Sequence, residues 1–293
     1  MCDQDDFDEM VQNQQRRRAG LSRREFAGLT MGAGLLSLAP AGAYAAATTG
    51  ADVDIKTTDG SCDAYFVHPT AGKHPAVLIW PDIFGLRPAF KQMATRLAES
   101  GYSVLVVNPF YRLQKAPTSA EGADMSDPDT RKKLVGQMQS LSPATVATDA
   151  AAFIPWLNQQ AAVDTKRKMA TTGYCMGGPF TFRVAAKYPD RVGAIATFHG
   201  AALASNAPDS PHLLVPKMKA SALIAIAASD DQSDPKAKDL LRQAFDSAGL
   251  PAEIEVYTGT KHGWCPTDSH VYDHDQAEKA WARQLALFKK ALV

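Results

Sequence analysis

Gly173-Tyr174-Cys175-Met176-Gly177 has the spacing of the G-x-S-x-G nucleophile elbow, with cysteine in the serine position. An elbow places its nucleophile on a tight strand-to-helix turn, where unfavourable backbone angles push the side chain outward and small neighbours allow close packing. The side chain then stands at a helix N-terminus, whose dipole favours a thiolate. The next amide, that of Met176, points at the place where an oxyanion would develop. A buried structural cysteine in a glycine-rich turn is spelled the same way. What separates the two readings is whether an acid and a base follow in order.

They do. Ser221 to Ala227 reads as a strand, and Ser229-Asp230-Asp231 follows it; Ala252 to Thr258 reads as the last strand, and Lys261-His262-Gly263-Trp264 follows that. His262 in such a loop can take the thiol proton and later protonate a leaving alkoxide. Asp231 is the expected orienting acid, with Asp230 as the close alternative. Either aspartate taken alone could be a helix cap. There is no second elbow bearing serine. With no HExxH and no CxxC, neither a metal site nor an organic cofactor is expected. His199, ending the Val192 to Phe198 segment, could face the pocket or be structural. Trp264 could be pocket wall or core.

The elements needed to hold these residues alternate along the chain. Asp52 to Thr58 and Cys62 to His68 predict a hairpin turning at Asp59-Gly60. Ala76 to Trp80 and Tyr102 to Val107 are wholly apolar runs that suit strands buried on both faces, with a helix predicted over Pro88 to Ser100 between them. Residues 110–140 read as a polar excursion over the sheet. Helices are predicted over Ala144 to Asn158, kinked or limited by Pro155, and over Gly177 to Lys187, Pro235 to Ala248 and Asp275 to Leu292. Lys168 to Tyr174 and Val192 to Phe198 complete the strands. Strand and helix in alternation imply a doubly wound, mostly parallel α/β sheet with helices on both faces.

Pro81-Asp82-Ile83-Phe84-Gly85 after the first buried strand, the Gly-Tyr-Cys-Met-Gly elbow and the His262 loop together resemble the dienelactone hydrolase family, over roughly residues 52–293. The resemblance implies an α/β-hydrolase fold and cofactor-free cleavage of an ester or lactone, as in carboxymethylenebutenolidase. It implies that Asp82, where the family carries a glutamate, accepts the resting thiol's proton or holds the thiol inactive. The Ile83 amide would join Met176 in the oxyanion hole. Arg112 of Asn108-Pro109-Phe110-Tyr111-Arg112 would grip a substrate carboxylate. A second family arginine, four residues past His262, is Pro266 here. A catalytically inactive binding protein on the same fold is the other reading.

The N-terminal region has a different character. Arg16-Arg17-Arg18 and Ser22-Arg23-Arg24-Glu25-Phe26 precede an uncharged stretch from Ala27 to Ala43, and then Ala43-Tyr44-Ala45. Basic, apolar and small-residue regions in that order describe a secretory signal, and the paired arginines resemble the twin-arginine route. Residues 1–45 are therefore expected to be a signal segment cut after Ala45, with 46–293 the exported domain, periplasmic or secreted, and the export machinery a transient partner. A membrane anchor is disfavoured: about 17 residues rich in glycine and alanine fall short of the roughly 20 a span needs. The chain of 293 residues balances 31 basic against 31 acidic residues, so nucleic acid is not an expected partner. The small-molecule substrate is. A Cys62–Cys265 bond is one option in an oxidising compartment.

Overall fold

The structure, a computed structural model, describes residues 45–293. The signal segment and its twin-arginine motif lie outside the described residues. Eight strands form one sheet in the order β1-β2-β4-β3-β5-β6-β7-β8. They are β1 (Thr48–Thr57), β2 (Gly60–Pro69), β3 (Ala76–Trp80), β4 (Ser103–Val107), β5 (Met169–Tyr174), β6 (Val192–Phe198), β7 (Ser221–Ala227) and β8 (Ala252–Tyr257). The β1–β2 hairpin and the β2–β4 pair are antiparallel, and every pairing from β4 through β8 is parallel.

Helices cover both faces. They are α1 (Pro88–Glu99), α2 (Pro128–Gln139), α3 (Pro143–Gln159), α4 (Gly177–Lys187), α5 (Ala228–Ser233), α6 (Ala237–Ala248) and α7 (His274–Ala291). The two-residue period of a strand sorts its side chains between them. Leu78 and Trp80 of β3 join Phe153 of α3, Phe182 of α4 and Phe245 of α6 in one core. Val77 and Ile79 face the opposite way, onto Phe90 and Leu97 of α1 and Phe288 of α7. Both sides of the central strands are thus apolar, which is why their sequence shows no alternation.

Three local differences from expectation have physical causes. The 110–140 excursion contains a helix, α2, begun by Asp127, whose carboxylate accepts from the Thr130 amide at 2.8 Å, and by Pro128 in the first turn. Its polar surface hides a short apolar stripe, with Leu134 buried against Ile83, Phe110 and Met176. Pro155 neither ends nor limits α3, which runs on to Gln159. The strand β7 is followed at once by the short α5, so Asp230 and Asp231 sit on a helix rather than in a loop.

Cys62 and Cys265 are both free and buried, in the cores on opposite faces of the sheet. The sheet order reverses beside β3, with β4 on one side and β5 on the other, and the loops after β3 and β5 open there. They can meet because Gly177 has no side chain: a Cβ would lie 2.4 Å from the Trp80 carbonyl oxygen and 2.8 Å from that of Pro81. Gly177→Ala is expected to cost about 2–3 kcal/mol through this overpacking, read as a lower denaturation midpoint at unchanged slope in urea. A variant as stable as the parent would mean that the two loops do not depend on this approach.

Candidate active site

Cys175 follows β5 directly and has φ 52°, the left-handed region that a side chain with a Cβ seldom occupies. The surroundings enforce it. The Cys175 amide donates to the Phe198 carbonyl at 3.1 Å, and its own carbonyl accepts from Gly178 at 3.0 Å and Ala201 at 3.1 Å. Gly173, two residues earlier, is as crowded as Gly177, since a Cβ there would meet the Gly177 carbonyl oxygen at 2.1 Å. The two glycines of the motif are therefore steric requirements. The result is a half-buried thiol at the start of α4, packed beside Ile83, Met176 and Leu134.

His262 reaches this thiol from the loop after β8. Its backbone amide donates to the Ser229 hydroxyl at 3.0 Å, and the Ser229 amide donates to the Thr260 carbonyl at 3.2 Å, so the loops after β7 and β8 are stitched together. On the ring, Nδ1 lies 2.9 and 3.1 Å from the two Asp230 carboxylate oxygens. Asp231, the expected acid, instead takes Lys238 Nζ at 2.6 and 2.7 Å. The structure thus brings Asp230, and not the expected Asp231, to His262. On a helix consecutive side chains point about 100° apart, so only one of the pair can face His262. Burial pulls the imidazole's affinity for its proton down, but the Asp230 hydrogen bond and the adjacent Cys175 sulfur outweigh it, and the ring is pushed up to about 10.

Ile83 and Met176 pack with Cys175, and among the described residues neither of their amides has a protein acceptor. Asp82 makes no hydrogen bond to the thiol. Both its oxygens hold Arg87, at 2.6 and 3.0 Å, and one also accepts from the Phe84 amide at 3.0 Å. The expected hold on the resting thiol is thus replaced by an ion pair. Arg87 goes further: its Nε and Nη2 donate to Asp268 at 2.7 and 3.0 Å. The guanidinium also lies over the Phe84 and Phe90 rings. One cation therefore ties the loop after β3 to the loop that carries His262. Nothing in the sequence marked Arg87 for this, although Pro88 after it favours the extended backbone that it adopts.

Arg112 is also committed elsewhere. It pairs with Asp59 at 2.6 Å and with the buried Asp149 at 2.6 Å, using four of its five N–H groups. Tyr111 adds its hydroxyl to Asp149 at 2.8 Å. This network fastens the β1–β2 turn to α3 and leaves no guanidinium fork for a substrate carboxylate. His199 is buried, at φ 41°, with its ring 5.0 Å from that of His262 and nearly perpendicular to it. Burial, and then the neighbouring His262, hold it well below the usual histidine range, so it is a neutral wedge against the His262 ring. Trp264 is fully buried and stacked on Tyr257 at 4.8 Å, which makes it core. Among the described residues no cluster of histidine, cysteine or carboxylate has the makings of a metal site.

The raised His262 value has a directional consequence. A proton held more tightly in the fold stabilises the fold fully below about pH 6.5, and that contribution fades as pH rises through about 10. With its side chain 39% exposed, solvent moderates the effect. In an NMR titration the His262 ring should stay protonated past pH 8. Asp230→Asn should lower its midpoint, and Asp231→Asn should leave it in place. An ordinary midpoint near 6.5 in the parent would contradict this geometry.

The sequence pattern of the dienelactone hydrolase family matches residues 62–292. A carboxymethylenebutenolidase of Rhodococcus opacus is 25% identical over 244 residues, covering 80% of this chain and 89% of that protein. Among solved structures, a dienelactone hydrolase-like promiscuous phosphotriesterase from metagenomic libraries superposes with a TM-score of 0.68 at 23% identity, covering 84% of this chain and all of that one. A dienelactone hydrolase from Anabaena variabilis gives 0.61 at 15% identity, covering 84% and 99%. Both structural likenesses speak to the fold, an α/β-hydrolase. The family match spans most of the chain, and this chain belongs to the dienelactone hydrolase family.

Proposed function

We propose that this chain hydrolyses carboxylic esters or lactones with Cys175 as the nucleophile, His262 as the proton carrier and Asp230 as the residue that orients it. The observation that carries this is His262 held between the Asp230 carboxylate and the sulfur of a strained elbow cysteine. The Cys175 thiolate attacks the acyl carbon, and the carbonyl oxygen takes the negative charge in a tetrahedral intermediate. The Ile83 and Met176 amides, which lack other acceptors, donate to that oxygen. The intermediate collapses, the C–O bond breaks, and the alkoxide leaves with the proton from His262. His262 then takes a proton from water, hydroxide adds to the thioester, and the acid departs as the thiolate is restored.

The family name of the Rhodococcus opacus relative supports a lactone among the substrates. The commitment of Arg112 to Asp59 and Asp149, together with Pro266, favours a substrate without a carboxylate to be gripped. Residues in the α2 helix, Leu134 and Met138 among them, pack around Ile83 and would form an apolar wall beside the acyl group. The arginine pair at Arg23-Arg24 and the Ala43-Tyr44-Ala45 site support export by the twin-arginine route to the periplasm or beyond, and N-terminal sequencing of exported protein should begin at Ala46.

Hydrolysis of p-nitrophenyl acetate and a panel of lactones tests the chemistry. Cys175→Ala should abolish turnover, Asp230→Asn should lower kcat by about two to four orders of magnitude, and Asp231→Asn should stay within a few-fold of the parent. Turnover surviving in Cys175→Ala would sink the proposal. A parent that neither turns over nor reacts with iodoacetamide at Cys175 would favour a binding protein on this fold.

A further inference from the structure

The turn that leaves β6 wraps the backbone of the nucleophile. The Phe198 carbonyl accepts from the Cys175 amide at 3.1 Å, and the Ala201 amide donates to the Cys175 carbonyl at 3.1 Å. Both polar groups of one residue are thus held by one short segment, with His199 inside it. His199 takes φ 41°, a left-handed angle that a residue with a Cβ seldom adopts. Its amide anchors the turn by donating to the Ala225 carbonyl of β7 at 2.8 Å. Gly200 follows, where a Cβ would lie 2.3 Å from the Thr197 hydroxyl.

Glycine or asparagine would make such a turn with less strain. Histidine brings a further penalty. Its ring is wholly buried, and neither ring nitrogen has a hydrogen-bond partner among the described residues. What the ring has instead is contact with the site. On one side is the ring of Tyr174, the residue before the nucleophile, at 6.0 Å. On the other is the His262 ring at 5.0 Å, inclined by 66°. Backbone strain of this kind persists where the surroundings over-determine it, and it gathers at functional sites.

We propose that His199 is a positioning residue: its ring fixes the plane of the His262 imidazole, so that Nδ1 stays on the Asp230 carboxylate while the ring stays against the Cys175 sulfur. This rests on the assignment of Cys175 and His262 to the chemistry. An imidazole held by a carboxylate through one nitrogen is still free to rock about that bond. A second ring packed at a steep angle against it removes this freedom through shape alone. Bare nitrogens suit the task, because a side chain with a strong donor or acceptor at this place would compete with Asp230 or the sulfur for the His262 ring. The same turn clamps the Cys175 backbone, so nucleophile and base are registered against one residue.

Three proteins are compared: the parent; His199→Asn, which accepts the left-handed angle but removes the ring; and His199→Phe, which keeps a flat ring without nitrogens. Two measurements need no ester, namely the NMR titration midpoint of the His262 ring and the rate of Cys175 alkylation by iodoacetamide. In His199→Asn the midpoint should fall by about one pH unit, and alkylation at pH 7 should slow about tenfold. His199→Phe should recover most of both. A core residue without a positioning role would change stability and leave both readings in place. Should His199→Asn not fold, His199→Gly, for which the angle is unstrained, takes its place; should His199→Phe not fold, the ringless variant decides. A folded ringless variant with the parent's midpoint and alkylation rate would overturn the proposal. So would a folded His199→Phe that behaves like the ringless variant. Turnover surviving in Cys175→Ala would instead sink the hydrolysis reading, and the His262 midpoint would still judge the ring contact.

Discussion

The approach of one backbone to another, at Gly177 against Trp80 and Pro81, is the constraint on which the rest of the site depends. Two parallel neighbours, β3 and β5, deliver their following loops to the same end of the sheet, but adjacency alone leaves room for side chains between them. Removing the side chain at Gly177 closes that room. It lets Ile83 and Met176 pack together beside Cys175, and it braces the elbow against the release of its strained backbone angle. The Cys175 amide's bond to the Phe198 carbonyl, and the Gly178 and Ala201 amides' bonds to the Cys175 carbonyl, hold the cysteine in place. Strain of this kind persists only where the surroundings over-determine it.

Around that fixed point the charges are partitioned into closed sets. Asp82 and Asp268 share Arg87, Asp59 and Asp149 share Arg112, and Asp231 has Lys238. The Arg87 and Arg112 sets tie together segments distant in sequence. The pair of Asp230 and His262 differs in kind, because its cationic member can lose its proton and because a sulfur lies on its other side. Structural ion pairs thus absorb the charges that could compete for the imidazole. Asp82 and Arg112 thus serve architecture in this chain.

Much of this could be read from the letters. Buried strands such as Ala76–Trp80 announce themselves because both faces need apolar groups, and the elbow announces itself because sterics allow little but glycine at its flanks. Ordering nucleophile, acid and base along the chain singled out His262, whose ring the structure sets against Asp230. The choice between Asp230 and Asp231 could not be read, since it turns on the phase of a six-residue helix that has no apolar face to reveal it. Arg87 was illegible for another reason: its partners lie 5 and 181 residues away, and no local pattern encodes a bridge of that span. The α2 helix was masked by its polar surface, although Asp127-Pro128 is a sound helix start. Arg112 was read through family likeness, which carries a residue's position more faithfully than its partners.

The placement of the thiols has a consequence for how the protein meets oxidants. Cys62 and Cys265 sit in separate layers on either side of the sheet, and burial raises both thiols far above the range in which they ionise. They cannot reach each other without unfolding, so the fold gains nothing from an oxidising environment and loses nothing in a reducing one. Among the described cysteines, the half-buried Cys175 is then the one open to peroxide or to a foreign disulfide. Among the described cysteines, susceptibility to oxidation and the proposed chemistry fall on the same sulfur.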